Sequence, residues 1–189
     1  MLEIKEAKIN LLDLICKLAY KSGDFVLSSG QPSSYYINGK QVTLHPYGAL
    51  WTGQVFLSML PTGVKAVAGL TLGADPIVTA VSVVSAYQDS PILALIVRKQ
   101  SKAHGTQDWI EGLVLPPDSE VVVLEDVVTT GNSAMFAVER LREAGYRVNL
   151  VLTLVDRLQG GAECFAQAGL NFKSVFTITE IQTRAMQIS

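Results

Sequence analysis

The sequence predicts an α/β domain: a central, mainly parallel five-stranded sheet flanked by helices, with a small N-terminal subdomain beside it. Apolar strand candidates recur at residues 64–70, 91–97, 120–125, 149–155 and 173–179, and helix candidates lie between them at 75–88, 132–145 and 160–168. Strand, helix, strand at this spacing is the pattern of a parallel sheet with crossover helices. The chain has 189 residues, 49% of them hydrophobic and 17% charged, which is one domain's worth of core with no disordered signature. We read residues 1–189 as a single domain, with residues 1–45 as the N-terminal segment within it.

In chain order, residues 2–21 place Leu11, Leu12, Leu14, Ile15, Leu18 and Ala19 at helical spacing. Residues 25–45 carry Phe25, Leu27, Tyr35, Tyr36, Ile37 and Val42 among turn formers and read as short strands. After His45-Pro46, residues 47–60 read as a helix, stopped by Pro61 and Gly63. The alternating segment then begins. Its one irregular stretch, residues 98–119, has no helical pattern and is rich in charge, His, Gly and Pro. Long loops of this kind in compact domains are usually functional.

Charge and leader signals narrow the class. A net charge of −2 argues against general nucleic-acid or anionic-membrane binding. Gln41 to Val64 lacks Asp, Glu, Lys and Arg, yet His45, Pro46, Gly48, Gln54, Pro61 and Gly63 interrupt it, so it reads as no membrane span. Met-Leu-Glu-Ile-Lys-Glu at the start lacks a basic leader followed by an apolar block, and the expected location is cytoplasmic. Cys16 and Cys164 stand far apart in apolar, helix-like contexts and read as two reduced, buried thiols.

Nine residues carry the strongest chemical signal: Glu125, Asp126, Val127, Val128, Thr129, Thr130, Gly131, Asn132 and Ser133. They follow the apolar run Val121-Val122-Val123-Leu124 and precede a helix-like segment. Two carboxylates thus stand at the carboxyl end of a strand, where open α/β sheets bind ligands. Thr129 to Ser133 add N–H groups and hydroxyls around a glycine that permits a tight turn, a way of holding phosphate at a helix N-terminus. Acid for sugar hydroxyls beside N–H groups for phosphate describes a site for a phosphorylated ribose. A bare helix cap would need less polar chemistry.

The irregular loop adds Arg98, Lys99, Lys102 and His104, three cations and a histidine within seven residues after an apolar strand. Positioned cations accelerate departure of a multiply charged leaving group such as diphosphate.

The nine-residue segment resembles the PRPP (5-phosphoribosyl 1-diphosphate) signature of type I phosphoribosyltransferases. Arg98 to Thr106 with Ile110-Glu111-Gly112 resembles the catalytic loop of the orotate phosphoribosyltransferase family. So do Phe25 to Gly30, Ser33 to Tyr36, Val42 to Pro46, and Val155-Asp156-Arg157. These blocks stand in the right order across residues 20–160. The resemblance implies the type I phosphoribosyltransferase fold, with residues 1–45 covering the base, and transfer of the phosphoribosyl group of PRPP to orotate with Mg2+. It implies that Glu125 and Asp126 bind the ribose hydroxyls, that Thr129 to Ser133 cradle the 5′-phosphate, and that Val127 and Val128 also belong to the PRPP-binding segment. Thr129 and Arg157 would meet orotate, with Arg157 facing its carboxylate; Tyr35 and Tyr36 could each stack on the pyrimidine ring or simply pack, and Tyr36 is the one expected near the base. Arg98, Lys99, Lys102 and His104 would bind diphosphate, Lys102 and Asp126 being catalytic. It further implies a homodimer in which Lys99 reaches the neighbouring site. No residue is assigned as a direct metal ligand.

Gly69 to Pro76 resembles the family's diphosphate loop, and also reads as an ordinary βα turn with Asp75 capping and Pro76 at the first helical position. Ser28 and Gly73 stand where some family members have lysine, and Lys40 where an arginine is common. A purine or xanthine phosphoribosyltransferase would share the PRPP segment but lack the Lys-x-x-Lys-x-His-Gly loop and the Asp156-Arg157 pair. A PRPP-sensing regulator would need a DNA-binding module or a basic face.

Overall fold

The structure, a computed structural model, describes residues 2–26, 32–101 and 109–188. The N-terminal segment is α1 (Ile4–Leu14), which runs on as one π-helical turn (Ile15–Ala19), then a hairpin of β1 (Tyr20–Val26) and β2 (Pro32–Ile37). The helix therefore ends two residues before the sequence pattern suggests, and the strand begins five residues earlier. Two helices follow, α2 (Lys40–Thr43) and α3 (Pro46–Met59). Pro46 starts α3 from inside its first turn, and His45 Nδ1 caps it by accepting from the Gly48 N–H at 3.4 Å.

The main body then alternates: β3 (Ala66–Leu70), α4 (Asp75–Tyr87), β4 (Leu93–Val97), β5 (Ile110–Glu111), β6 (Val121–Val128), α5 (Asn132–Glu143), β7 (Leu150–Asp156), α6 (Gly161–Gln167), β8 (Asn171–Thr177) and α7 (Ile178–Ile188). The sheet order is β5-β4-β3-β6-β7-β8, with β5 antiparallel to β4 and the other pairs parallel. The five expected strands are all present. The sixth, β5, is two residues long and has no periodicity to announce it.

β6 and β7 are apolar on both faces because helices cover both sides. Val122 and Leu124 join the core under α1, α3, α4 and α7, whereas Val121 and Val123 join the one under α5 and α6. The tail helix α7 is tied to α1 by Arg184, which donates from Nε and Nη2 to the Asp13 carboxylate at 2.7 and 3.1 Å. Cys16 is buried, but Cys164 is only partly so, because the one-sided α6 leaves it at the helix flank. No helix among the described residues is long and apolar enough to cross a membrane.

The chain runs outward from β3 to β4, then returns to lay β6 against the other edge of β3. Strand order therefore reverses between β3 and β6. The carboxyl ends of these two strands form the crevice in which open α/β sheets place ligands.

Candidate active site

Glu125 and Asp126 lie in the last turn of the β6 ladder, which reaches Val128 rather than stopping at 125. Val127 and Val128 are therefore strand residues, paired with Val155 and Asp156, and they lead into the turn expected to hold phosphate. The turn itself is Thr129 to Gly131. Gly131 takes φ +88°, a conformation that side chains resist, and a Cβ there would meet Phe165 Cζ at 3.0 Å. It directs the chain into α5, whose first N–H groups have no partner within the helix. Thr130, Asn132 and Ser133 are exposed and Thr129 half-buried around that terminus.

The two carboxylates are buried. Asp126 Oδ1 accepts from the Val127 N–H at 2.9 Å, and Glu125 Oε1 from the Asp126 N–H at 3.3 Å. Glu125 Oε2 is buried with no hydrogen-bond partner. Burial first, and the adjacent Asp126 charge second, push the Glu125 carboxyl from 4.5 up to about 8. Below them, the Thr153 hydroxyl donates to the Glu125 carbonyl at 3.2 Å, tying β7 to the strand end.

Two residues that sequence marks as departures from the family pattern stand beside the pair. Lys40, at the start of α2, brings Nζ to 3.8 Å from Asp126 Oδ2 and eases the Glu125 carboxyl downward. Gly73, in the loop after β3, lies so close that an added Cβ would stand 2.7 Å from Asp126 Oδ1 and 3.2 Å from Glu125 Oε1. That loop has a cis peptide between Thr71 and Leu72. Asp75 does not cap α4 with its side chain; its Oδ2 accepts from the Thr71 hydroxyl at 2.8 Å, and its Oδ1 is buried without a partner.

Arg157 follows β7 directly, held by its N–H donating to the Val128 carbonyl at 2.9 Å. It is buried, and its Nε donates to the Tyr35 hydroxyl at 3.0 Å while Nη2 has no partner. Asp156 instead accepts from the Leu158 N–H at 2.8 Å. The tyrosine beside Arg157 is thus Tyr35. Successive side chains on β2 point to opposite faces, and Tyr36 is exposed, its ring 5.7 Å from that of Phe25.

At the end of β4, Arg98 Nη1 donates to Glu111 Oε1 at 2.9 Å, so β5 holds it in an ion pair. Lys99 is exposed. A cavity of about 440 Å³ is lined by Thr71, Ile96, Arg98, Lys99, Gln100 and Glu111. Lys102, His104 and Ser28 lie outside the described residues. No cluster of three or more His, Cys, Asp or Glu suited to a metal occurs among the described residues.

The site therefore combines a buried acidic pair, an open helix N-terminus and a buried guanidinium with an unpartnered Nη2 at the ends of adjacent strands. No family model matches the chain. An orotate phosphoribosyltransferase from a Nostoc species is 65% identical over 186 residues, covering 98% of this chain and 90% of the relative. The chain belongs to the orotate phosphoribosyltransferase family. Solved structures agree. Orotate phosphoribosyltransferase from Mycobacterium tuberculosis in complex with Fe(III) dicitrate superposes with a TM-score of 0.81 at 36% identity, over 93% of this chain and 98% of that one. Its complex with PRPP gives 0.78 at 33% identity, over 93% and 99%.

Proposed function

We propose that the protein transfers the 5-phosphoribosyl group of PRPP to orotate, giving orotidine 5′-monophosphate and diphosphate in de novo pyrimidine synthesis. The observation that carries this reading is the buried Arg157 guanidinium with an unpartnered Nη2, one strand away from the acidic pair. Among the described residues Arg157 has no carboxylate partner; a buried cation so placed is costly, and an anionic base supplies what it lacks. A purine would not.

In this reading the ring nitrogen of orotate bonds to C1 of the ribose and gives up its N–H proton to solvent as the C1–O bond to diphosphate breaks. The leaving diphosphate takes the electron pair, through an oxocarbenium-like transition state. Glu125 and Asp126 receive the 2′ and 3′ hydroxyls, a role that suits carboxyl oxygens. Thr129 to Ser133, with the N-terminus of α5, hold the 5′-phosphate. Val127 and Val128, at the strand end between the acidic pair and the turn, complete the PRPP-binding segment. Thr129 reaches orotate as well, and the β1–β2 hairpin with α2 covers the base. Arg98, Lys99, Lys102 and His104 meet diphosphate, with Lys102 stabilising the charge that develops as it leaves.

Magnesium fits this donor set. Its preferred ligands are oxygens, it keeps several waters, and the acidic pair would reach it through ribose hydroxyls without forming an all-protein cage. When bound, it neutralises charge on the diphosphate. Lys99 is exposed at a strand end, which suits a lysine lent to a second copy, and the working unit is then a cytoplasmic homodimer.

The test is to offer the purified protein PRPP and magnesium with orotate, uracil, xanthine and adenine in parallel. Consumption of orotate alone is expected. Turnover of a purine in place of orotate would overturn the reading.

A further inference from the structure

We propose that Tyr35 is a positioning residue for Arg157, fixing the direction from which the guanidinium receives the carboxylate of the incoming base. The inference rests on the reading of Arg157 as the partner of orotate's carboxylate, and it deepens that reading. The two residues are 122 positions apart, yet both are buried and touch twice. The Tyr35 hydroxyl accepts from Arg157 Nε at 3.0 Å, and the Tyr35 ring lies 4.9 Å from Arg157 Cζ. Tyr20 stacks behind that ring at 6.2 Å, so β1 backs the contact.

A guanidinium can meet a carboxylate end-on, through its two terminal nitrogens, or side-on, through Nε and one terminal nitrogen. Tyr35 occupies the side-on approach. The end-on face remains, and there Nη2 is buried without a partner. The ring beneath sets the plane of the fork, since a cation is attracted to an aromatic face. A freely rotating arginine would lose these restraints and bind the same carboxylate with more disorder to overcome. Tyr35 thereby makes the arginine selective for geometry as well as charge.

Tyr35→Phe keeps the ring and removes only the hydroxyl. Wild-type protein is first assayed with orotate and PRPP. If it does not use orotate, the underlying reading fails and takes the proposal with it. If it does, Tyr35→Phe should raise KM for orotate about tenfold or more. KM for PRPP and kcat should stay within about twofold, because a bond to a charged group is lost on the base side alone. Unchanged KM for orotate overturns the positioning role and leaves the reaction intact.

A cycle with Arg157→Ala separates positioning from folding. In that background Tyr35→Phe should change KM for orotate by less than about twofold. A rise as large as in wild type would show that Tyr35 acts through the fold, against the proposal. Should Tyr35→Phe accumulate poorly, Tyr35→Met removes the hydroxyl and the ring while leaving Arg157 intact. It is expected to show the same orotate-specific rise, and a wild-type KM for orotate in that variant equally overturns the proposal.

Discussion

Glu125→Gln should stabilise the ligand-free protein, by an amount that grows with pH. In the folded chain burial, and then the Asp126 charge, push the Glu125 carboxyl from 4.5 to about 8. The unfolded chain releases that proton near 4.5. Between those values the folded state holds a proton that the unfolded state has lost, so stability falls as pH rises. The contribution is complete below 4.5 and is gone once pH passes about 8. Each pH unit across the window is worth about 1.4 kcal/mol, which makes the full loss on the order of 5 kcal/mol. Glutamine has the same shape without the ionisation, so its stability should not follow this slope. Urea unfolding at pH of about 5.5, 7 and 9, at fixed protein concentration and without PRPP, reads the difference. The gap between variant and wild type should widen steadily towards the alkaline end. A gap that is constant with pH, or that narrows towards pH 9, would refute the assignment of a proton to Glu125.

Arg157→Ala should weaken orotate binding by about 2–5 kcal/mol while PRPP binding is nearly preserved, as separate calorimetric titrations would show. Gly131→Ala forces a side chain into φ +88° and against Phe165; the expected cost is about 1–2 kcal/mol, or a fall in Tm of roughly 2–8 °C by differential scanning calorimetry. If Lys99 serves the neighbouring subunit, mixing a Lys99→Ala protein with one neutralised at Glu125 and Asp126 should restore up to about half of the wild-type activity per heterodimer. No recovery, with heterodimer formation verified, would place Lys99 in its own subunit's site.

The main sheet was legible because its strands are apolar on both faces and its helices recur at a steady spacing. β5 was not. Its two residues owe their strand form to Ile96 and Val97 across the ladder, a long-range cause that local pattern cannot register. The end of β6 was misplaced for a related reason. Glu125 and Asp126 break the apolar run that marks a strand, while the ladder to Thr153 and Val155 continues past them. The acidic pair, the glycine turn and Arg157 were readable as residue types in order. Which tyrosine faces Arg157 depends on the pairing register of β1 and β2, and a one-residue slip reverses every face. Lys40 and Gly73 stand beside the carboxylates only because α2 and the loop after β3 converge on the strand reversal, a tertiary fact.

Two features of the site leave electrostatic needs unmet, and they are of opposite kinds. The acidic end carries a carboxyl whose pKa burial raises, with Oε2 unpartnered; the neighbouring strand end carries a guanidinium with Nη2 unpartnered. Neither can relieve the other, because ordered strands fix them in place and each is committed locally, Glu125 beside Asp126 and Arg157 to Tyr35. A fold selected for stability alone would fill such positions with apolar side chains, since well-packed hydrophobic groups often outdo buried charges. Their persistence here follows if the missing partners arrive as ligands: ribose hydroxyls for the acids and an anionic base for the arginine. The site is then preorganised at a cost to the empty protein, and binding of either ligand returns part of that cost as affinity.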